Sequence, residues 1–278
     1  MLLFAVVFLA AEMVGLAASG IGTLASLGNR ARSIAWHTRL QIAWTRCLFA
    51  TAVRLFGLRV TVDENGELPA GPMVVLVRHA SIVDTLLPTV LLIHRHGIRL
   101  RFVLKRELLW DPCLDVVGHR LLNVFVRRGA IDSAHEIARV RRLGSDMGAG
   151  EGVILYPEGT RWTPAKHTVV MERLRERDPV RHARLESLVH VLPPQLGGAL
   201  ALLDAVPEAE VLFLGHTGFD GATTLREVLA GALVGRRIHA AFWRVPASAI
   251  PRDRAARAAW LDGEWVKMEG WVRDHART

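Results

Sequence analysis

Hydrophobic positions are spread unevenly along this 278-residue chain. They begin as a single block over residues 1–27, MLLFAVVFLAAEMVGLAASGIGTLASL, in which Glu12 is the one charged side chain. At about 1.5 Å per residue, a helix of this length reaches across a hydrocarbon layer of about 30 Å. Glu12 near its middle, with Gly15, Gly20 and Gly22, weighs against full insertion. Ala17, Ala18 and Ser19 suit the cleavage site of a secretory signal, but no Lys or Arg precedes the apolar run, as such signals normally require. Arg30 and Arg32 follow the block at once and, by the positive-inside rule, hold the downstream chain on the cytoplasmic side. The block reads as an uncleaved membrane anchor.

Residues 34–58 differ in kind. Trp36, Leu40, Trp44, Leu48, Phe49, Leu55 and Phe56 alternate with Arg39, Arg46 and Arg54, and Arg59 follows. Aromatic rings beside guanidinium groups suit the headgroup boundary of an anionic phospholipid surface. The competing reading is an amphipathic helix packed on the protein's own core. Beyond Val60 the pattern changes again. Short apolar runs at Met73–Val77, Arg101–Leu104, Val124–Val126, Gly152–Tyr156 and Val211–Leu214 predict buried strands, with Pro69, Gly71 and Pro72 leading into the first. Segments at Thr85–His96, Ser133–Gly148, Thr168–Glu176 and Ala199–Ala205 have helical patterning. Strands of this type alternating with helices predict an α/β fold, a central mostly parallel sheet flanked by helices, with N-terminal membrane-associated helices. The apolar spacing of Trp260, Leu261, Trp265, Met268 and Trp271 predicts a C-terminal amphipathic helix, packed on the domain or making a second interfacial contact. The implied division is 1–58, 59–245 and 246–278.

Composition narrows the class. Basic residues outnumber acidic ones, 35 to 27, for a net charge of +8, and Lys105, Lys166 and Lys267 are the only lysines, so arginine carries the excess. An arginine-rich surface favours anionic partners: phospholipid headgroups, phosphorylated substrates or nucleic acid. No nucleic-acid reading motif accompanies the charge, so nucleic acid is not expected. An apolar fraction of 51% excludes a disordered chain. Cys47 and Cys113 stand far apart without metal-ligand spacing and read as small hydrophobes rather than a disulfide or zinc site.

Four polar blocks follow apolar runs, where ligands bind in open α/β sheets. Directly after Met73–Val77 comes Arg78-His79-Ala80-Ser81-Ile82-Val83-Asp84. If the chain turns between them, Asp84 fixes the tautomer of His79 and leaves the other ring nitrogen as a general base. The alternative is that Asp84 caps the helix that follows. At the end of the Gly152–Tyr156 run comes Tyr156-Pro157-Glu158-Gly159-Thr160-Arg161-Trp162, with a close-approach glycine and a guanidinium fork suited to phosphate. Its bland counterpart is a loop with a Glu158–Arg161 surface pair. Lys105 and Arg106 follow the Arg101–Leu104 run, and Arg127 and Arg128 the Val124–Val126 run, either gathering cations at one sheet edge for an anionic ligand or forming a solvated basic face. His190-Val191-Leu192-Pro193-Pro194 could shape an apolar wall. A metal hydrolase built on His79 and Asp84 is disfavoured, because no further His/Asp cluster at ligand spacing accompanies them.

In this order the blocks resemble the lysophosphatidate acyltransferase (1-acyl-glycerol-3-phosphate O-acyltransferase) family. The family's His-x4-Asp motif falls on His79 and Asp84, its Phe-(Ile/Val)-x-Arg block on Phe125 to Arg128, its Pro-Glu-Gly-Thr-Arg block on Pro157 to Arg161 and its late proline block near Leu192 to Pro194. The stretch from Glu158 through Lys166 to His216-Thr217-Gly218-Phe219 is similar to one branch of it. One departure is Arg78, where the family commonly has Asn; the arginine either adds charge for an acidic substrate or points into solvent.

The resemblance implies a membrane-attached enzyme that acylates a lysophospholipid from acyl-CoA or acyl-carrier protein, with no resident metal or cofactor. His79 is then the general base and Asp84 orients it. Arg161, Arg128 and Lys105 hold the acceptor phosphate, and Glu158, Gly159 and Thr160 position its glycerol. Glycerol-3-phosphate, another lysophospholipid or a lipid-linked amine remain alternative acceptors, and a non-catalytic lipid-binding protein is the alternative of another class.

Overall fold

The computed structural model describes residues 2–64, 68, 70–127 and 134–276. Pro69, Ser133 and Arg128 lie outside the described residues.

The two N-terminal helices, α1 (Leu2–Ala25) and α2 (Arg30–Phe56), form an antiparallel hairpin. Asn29 caps α2 by accepting from the Arg32 N–H, and Gly57, at φ 63°, ends it in the left-handed conformation that glycine adopts without strain. The hairpin is closed at one end by Phe4 against Phe56, ring centroids 5.1 Å apart, and near the other by Trp36 Nε1 donating to the Ala18 carbonyl. Ser19 Oγ meets His37 Nε2 at 3.0 Å in its buried interior. Glu12 is buried rather than presented to lipid, and accepts from the Cys113 N–H. Its α1 helix therefore lies along the domain, with Leu3, Val6, Leu9, Met13 and Leu24 exposed on the outward side. Of the two readings of residues 34–58, packing on the protein's own core holds for one side of α2. Leu48, Ala52 and Phe56 are buried, the latter two in the main core, while Trp36 and Leu55 remain exposed.

The sheet has seven strands: β1 (Arg59–Glu64), β2 (Met73–Val77), β3 (Arg99–Lys105), β4 (Val124–Val126), β5 (Glu151–Leu155), β6 (Glu210–Thr217) and β7 (Arg237–Val245). Their order is β1-β7-β6-β2-β5-β3-β4. The run from β6 to β4 is parallel; β7 is antiparallel to β6, and β1 runs parallel to β7. All five side chains of β2 are fully covered, which is why that strand is continuously apolar rather than alternating. β1 and β7 escaped the sequence prediction for the opposite reason. One face of each carries polar residues, and RVTVDE and RIHAAFWRV resemble surface segments more than core strands.

Two apolar layers cover the faces. One joins Val75, Val77, Leu212 and Leu214 to Leu87, Leu91 and Leu92. The other joins Val74, Leu76, Val211 and Phe213 to helices α4 (Ala134–Gly144), α7 (Leu196–Ala205) and α9 (Arg254–His275); α3 (Pro112–Gly118), α5 (Pro164–Arg177), α6 (Pro179–Leu185) and α8 (Leu225–Leu229) are the other α-helices among the described residues. Leu261, Trp265 and Met268 are wholly buried, so the C-terminal apolar stripe is core, not a second membrane contact. The predicted helix over Thr85–His96 is a 3₁₀ turn at Asp84–Leu86 followed by a π-helical stretch at Thr89–His94. Pro88 sits at the junction, where its missing N–H prevents one continuous α-helical ladder.

Candidate active site

The site is assembled where β2, β5 and β6 end side by side. β2 delivers Arg78 and His79; its neighbours deliver Tyr156 to Arg161 on one side and His216 to Asp220 on the other. The chain turns sharply after His79, and this turn brings Asp84 back. His79 Nδ1 lies 3.1 and 3.2 Å from the two carboxylate oxygens of Asp84. Oδ2 also accepts from the Ala80 and Ser81 N–H groups, each at 2.7 Å. Asp84 thus reaches backward to the histidine loop, and the forward helix cap considered from sequence is not formed; the 3₁₀ turn begins without a side-chain cap.

These contacts set the charges. Burial alone would raise the Asp84 carboxyl, but His79, together with His216, outweighs it and holds the group well below the ordinary carboxylate range. A carboxylate beside Nδ1 holds the proton there, which leaves Nε2 as the basic nitrogen. His79 itself is 7% exposed, enclosed by the Tyr156 ring at a centroid distance of 4.7 Å.

Glu158 takes a different place from the one expected. It is buried, and its two oxygens accept from the His79 and Leu192 N–H groups, both at 2.8 Å. Both oxygens are committed to the protein, so Glu158 ties the histidine loop to the late proline block and does not position an acceptor. Burial pushes its carboxyl up to about 8, against the pull of those N–H groups and of Arg78. Gly159 has φ 68°, and a Cβ there would run into the Gln195 side chain, so the turn requires glycine. Thr160 and Arg161 are half-buried in the same loop, and the Arg161 carbonyl accepts from Lys166 Nζ. The proline block is part of this frame: Gln195 donates its N–H to the Pro157 carbonyl at 2.7 Å, and Glu269 of α9 accepts from the N–H groups of Val189, His190 and Val191.

Arg78 corrects both sequence readings of that residue. It neither meets solvent nor offers a spare charge to a ligand. Its side chain is 1% exposed; Nη2 lies 2.6 Å from Asp220 Oδ1 and Nη1 3.3 Å from Oδ2. The same two nitrogens donate to the carbonyls of His216, at 2.7 Å, and His190, at 2.9 Å. One guanidinium therefore locks three loops around the histidine.

His216 is the functional candidate that sequence reasoning did not single out. Nε2 donates to the Arg78 carbonyl at 2.9 Å and stands 3.5 Å from Asp84 Oδ2. Its signal was a histidine just beyond the apolar Val211–Leu214 run and two residues before Gly218, a pattern too common to act on alone. Lys105 ends β3, two strands from β2 at the same edge of the sheet. Beyond it an open groove of about 550 Å³ is lined by Arg106, Glu107, Leu109, Trp110 and Arg127. The structure therefore brings together His79, Asp84, Glu158 and Gly159, sets Thr160 and Arg161 in the adjoining loop and places Lys105 farther along.

Comparisons with known proteins find likenesses to acyltransferases. Residues 59–193 match the profile of the Acyltransferase family. The mouse 1-acyl-sn-glycerol-3-phosphate acyltransferase gamma is 26% identical over 226 residues, covering 79% of this chain and 56% of that protein. The human protein of the same name is 27% identical over 231 residues with the same coverage. Zebrafish lysocardiolipin acyltransferase 1 is 23% identical over 241 residues, covering 84% of this chain and 60% of that protein. The chain thus spans little more than half the length of these curated relatives. The crystal structure of the 1-acyl-sn-glycerophosphate (LPA) acyltransferase PlsC from Thermotoga maritima superposes with a TM-score of 0.58 over 96% of this chain and 92% of that one, at 16% identity, a likeness of fold. With its His-x4-Asp turn and Glu-Gly-Thr-Arg loop at adjoining strand ends, the chain carries an Acyltransferase-family match over residues 59–193 and is similar to the 1-acyl-sn-glycerol-3-phosphate acyltransferases.

Proposed function

We propose that this chain transfers a fatty acyl group from the thioester of acyl-CoA or acyl-carrier protein to the free hydroxyl of lysophosphatidic acid, giving phosphatidic acid. The observation that carries the reading is the His79–Asp84 pair, with Asp84 kept anionic by buried donors and His79 Nε2 left basic. Nε2 takes the hydroxyl proton as the acceptor oxygen attacks the thioester carbonyl. The tetrahedral intermediate then collapses, the C–S bond breaks, and the thiolate leaves and recovers a proton through the imidazolium. The thioester supplies the activation, so the step needs no resident metal or cofactor. Arg161 and Lys105 are the described cations at this edge that would face the acceptor phosphate, with Arg128 as a third from the sequence. The relatives named for lysophosphatidate and for lysocardiolipin favour a phosphorylated lipid acceptor. Incubating the purified chain with labelled acyl-CoA and a panel of lysophosphatidate, glycerol-3-phosphate, lysocardiolipin and a lipid-linked amine, with products identified by mass, tests this. Labelled phosphatidic acid as the main product is expected; labelled product from only another acceptor would reassign the substrate.

Placement at a bilayer follows from the same chemistry, because acceptor and product both carry fatty chains. The exposed apolar side of α1 is the surface for this contact, lying in the interface rather than standing free of the domain. Arg30 and Arg32, at the start of α2, orient the catalytic domain to the cytoplasm. Deleting the hairpin would strip Phe4, Ala52 and Phe56 from the core, so point changes are the cleaner test. Replacing Leu9, Met13 and Leu24 together by serine should weaken sedimentation with anionic vesicles while leaving thermal unfolding unchanged. Undiminished sedimentation would move the contact to another surface.

A further inference from the structure

Away from the histidine loop, β1, β7 and the last turn of α9 bring Asp63, His239 and His275 together. A ligand-capable atom of each lies within 4.8 Å of the other two. His239 Nε2 is 2.7 Å from Asp63 Oδ2, and the rings of His239 and His275 meet edge to face at 4.7 Å. The orientation of His275 is fixed from behind. Its Nδ1 lies 2.7 Å from the Trp271 carbonyl, and its ring stacks on Trp271 at 4.5 Å. A carbonyl can only accept, so the proton sits on Nδ1 and the lone pair on Nε2, the arrangement that metal-binding imidazoles adopt. The residue also occupies the C-terminal end of a 22-residue helix, where backbone carbonyls favour a cation. The side chains of His239 and Asp63 are 22% and 43% exposed, so an ion reaches the cluster from solvent and water completes its shell.

We propose that Asp63, His239 and His275 bind a divalent transition-metal cation of the zinc class, and that the ion ties the C-terminal helix to the edge of the sheet. Two imidazole nitrogens with one carboxylate select such an ion over the oxygen-seeking Mg²⁺ and Ca²⁺. On binding, His239 Nε2 exchanges its hydrogen bond to Asp63 for the metal, and its proton passes through solvent to Nδ1, so the ring ligates as a neutral imidazole. The three residues come from distant parts of the sequence, which is why no ligand spacing announced them. The proposal is independent of the acyl-transfer reading.

The test uses the full chain in detergent, stripped of metal by dialysis against a chelator and titrated with Zn²⁺, and separately with Co²⁺. Expected are saturable binding of one Zn²⁺ per chain, a higher melting temperature in its presence and the intense visible absorption of low-coordinate Co²⁺, with Mg²⁺ producing none of these. Asp63→Asn and His275→Gln should each weaken Zn²⁺ binding by about 10–100-fold, a loss typical of disturbed metal sites. Both substitutions nearly preserve shape, and the unbound variants should melt close to the metal-free wild type. Absence of saturable binding, or binding of equal strength in both variants, would show a purely hydrogen-bonded cluster and overturn the proposal.

Discussion

Replacing His79 by alanine is expected to lower acyl transfer by about 10²–10⁴-fold, the usual contribution of a positioned general base. The loss should fall on kcat more than on the KM for either substrate, since the imidazole acts as the proton moves. The fold should survive. Asp84 would lose one partner but keep the Ala80 and Ser81 N–H groups, with His216 Nε2 still 3.5 Å away, so its buried charge does not become an orphan. Stopped-time assays with labelled acyl-CoA measure the rate, and thermal melting checks the fold. Unchanged turnover in a well-folded variant would remove His79 from the mechanism.

The second large effect concerns Arg78. Arg78→Ala breaks the ion pair with Asp220 and deprives the His216 and His190 carbonyls of their donors. Removing one partner of a buried pair costs about 3–5 kcal/mol when both charges are enclosed. The Asp220 side chain is 36% exposed, and water softens the penalty there, so about 3 kcal/mol is the expected loss. For a chain of this size that corresponds to a melting temperature lower by roughly 6–12 °C. Activity should fall with it, because the three loops that enclose His79 are released together. Arg78→Lys should recover only part of the stability, since an ammonium cannot fork across a carboxylate and two separated carbonyls. If Arg78 instead served the acceptor, the alanine variant would melt like the wild type and show a raised KM for phosphorylated lipid alone.

What could be read from the chain follows from how each element is covered. β2, β5 and β6 lie in the interior of the sheet; β2 is apolar throughout and the other two carry the runs Gly152–Leu155 and Val211–Leu214, so all three stand out unaided. β1 is an edge strand and β7 turns a mixed face toward α9, and neither carries a run that separates it from a loop. The His79–Asp84 pair was legible because the histidine follows a buried strand and the aspartate sits where a single turn returns it. The roles of Glu158 and Arg78 were not legible. Each depends on which backbone groups from distant loops come within reach, and a carboxylate or guanidinium in a polar motif looks the same whether it faces a ligand or the protein. His216 and the Asp63–His239–His275 cluster share that origin: sheet order, not sequence spacing, creates them.

In the proposed mechanism Asp84 holds the proton on Nδ1 of His79 and so keeps Nε2 basic. Asp84→Asn tests this most directly. The oxygen must stay with the Ala80 and Ser81 N–H groups, so the new amide nitrogen takes the position facing Nδ1 and donates to it. The histidine is then forced into the tautomer that carries its proton on Nε2 and cannot act as base. In this variant kcat for acyl transfer should fall by about 10³–10⁴-fold, as in wrong-tautomer substitutions, with the fold retained. Wild-type kcat in a folded Asp84→Asn protein would contradict that mechanism.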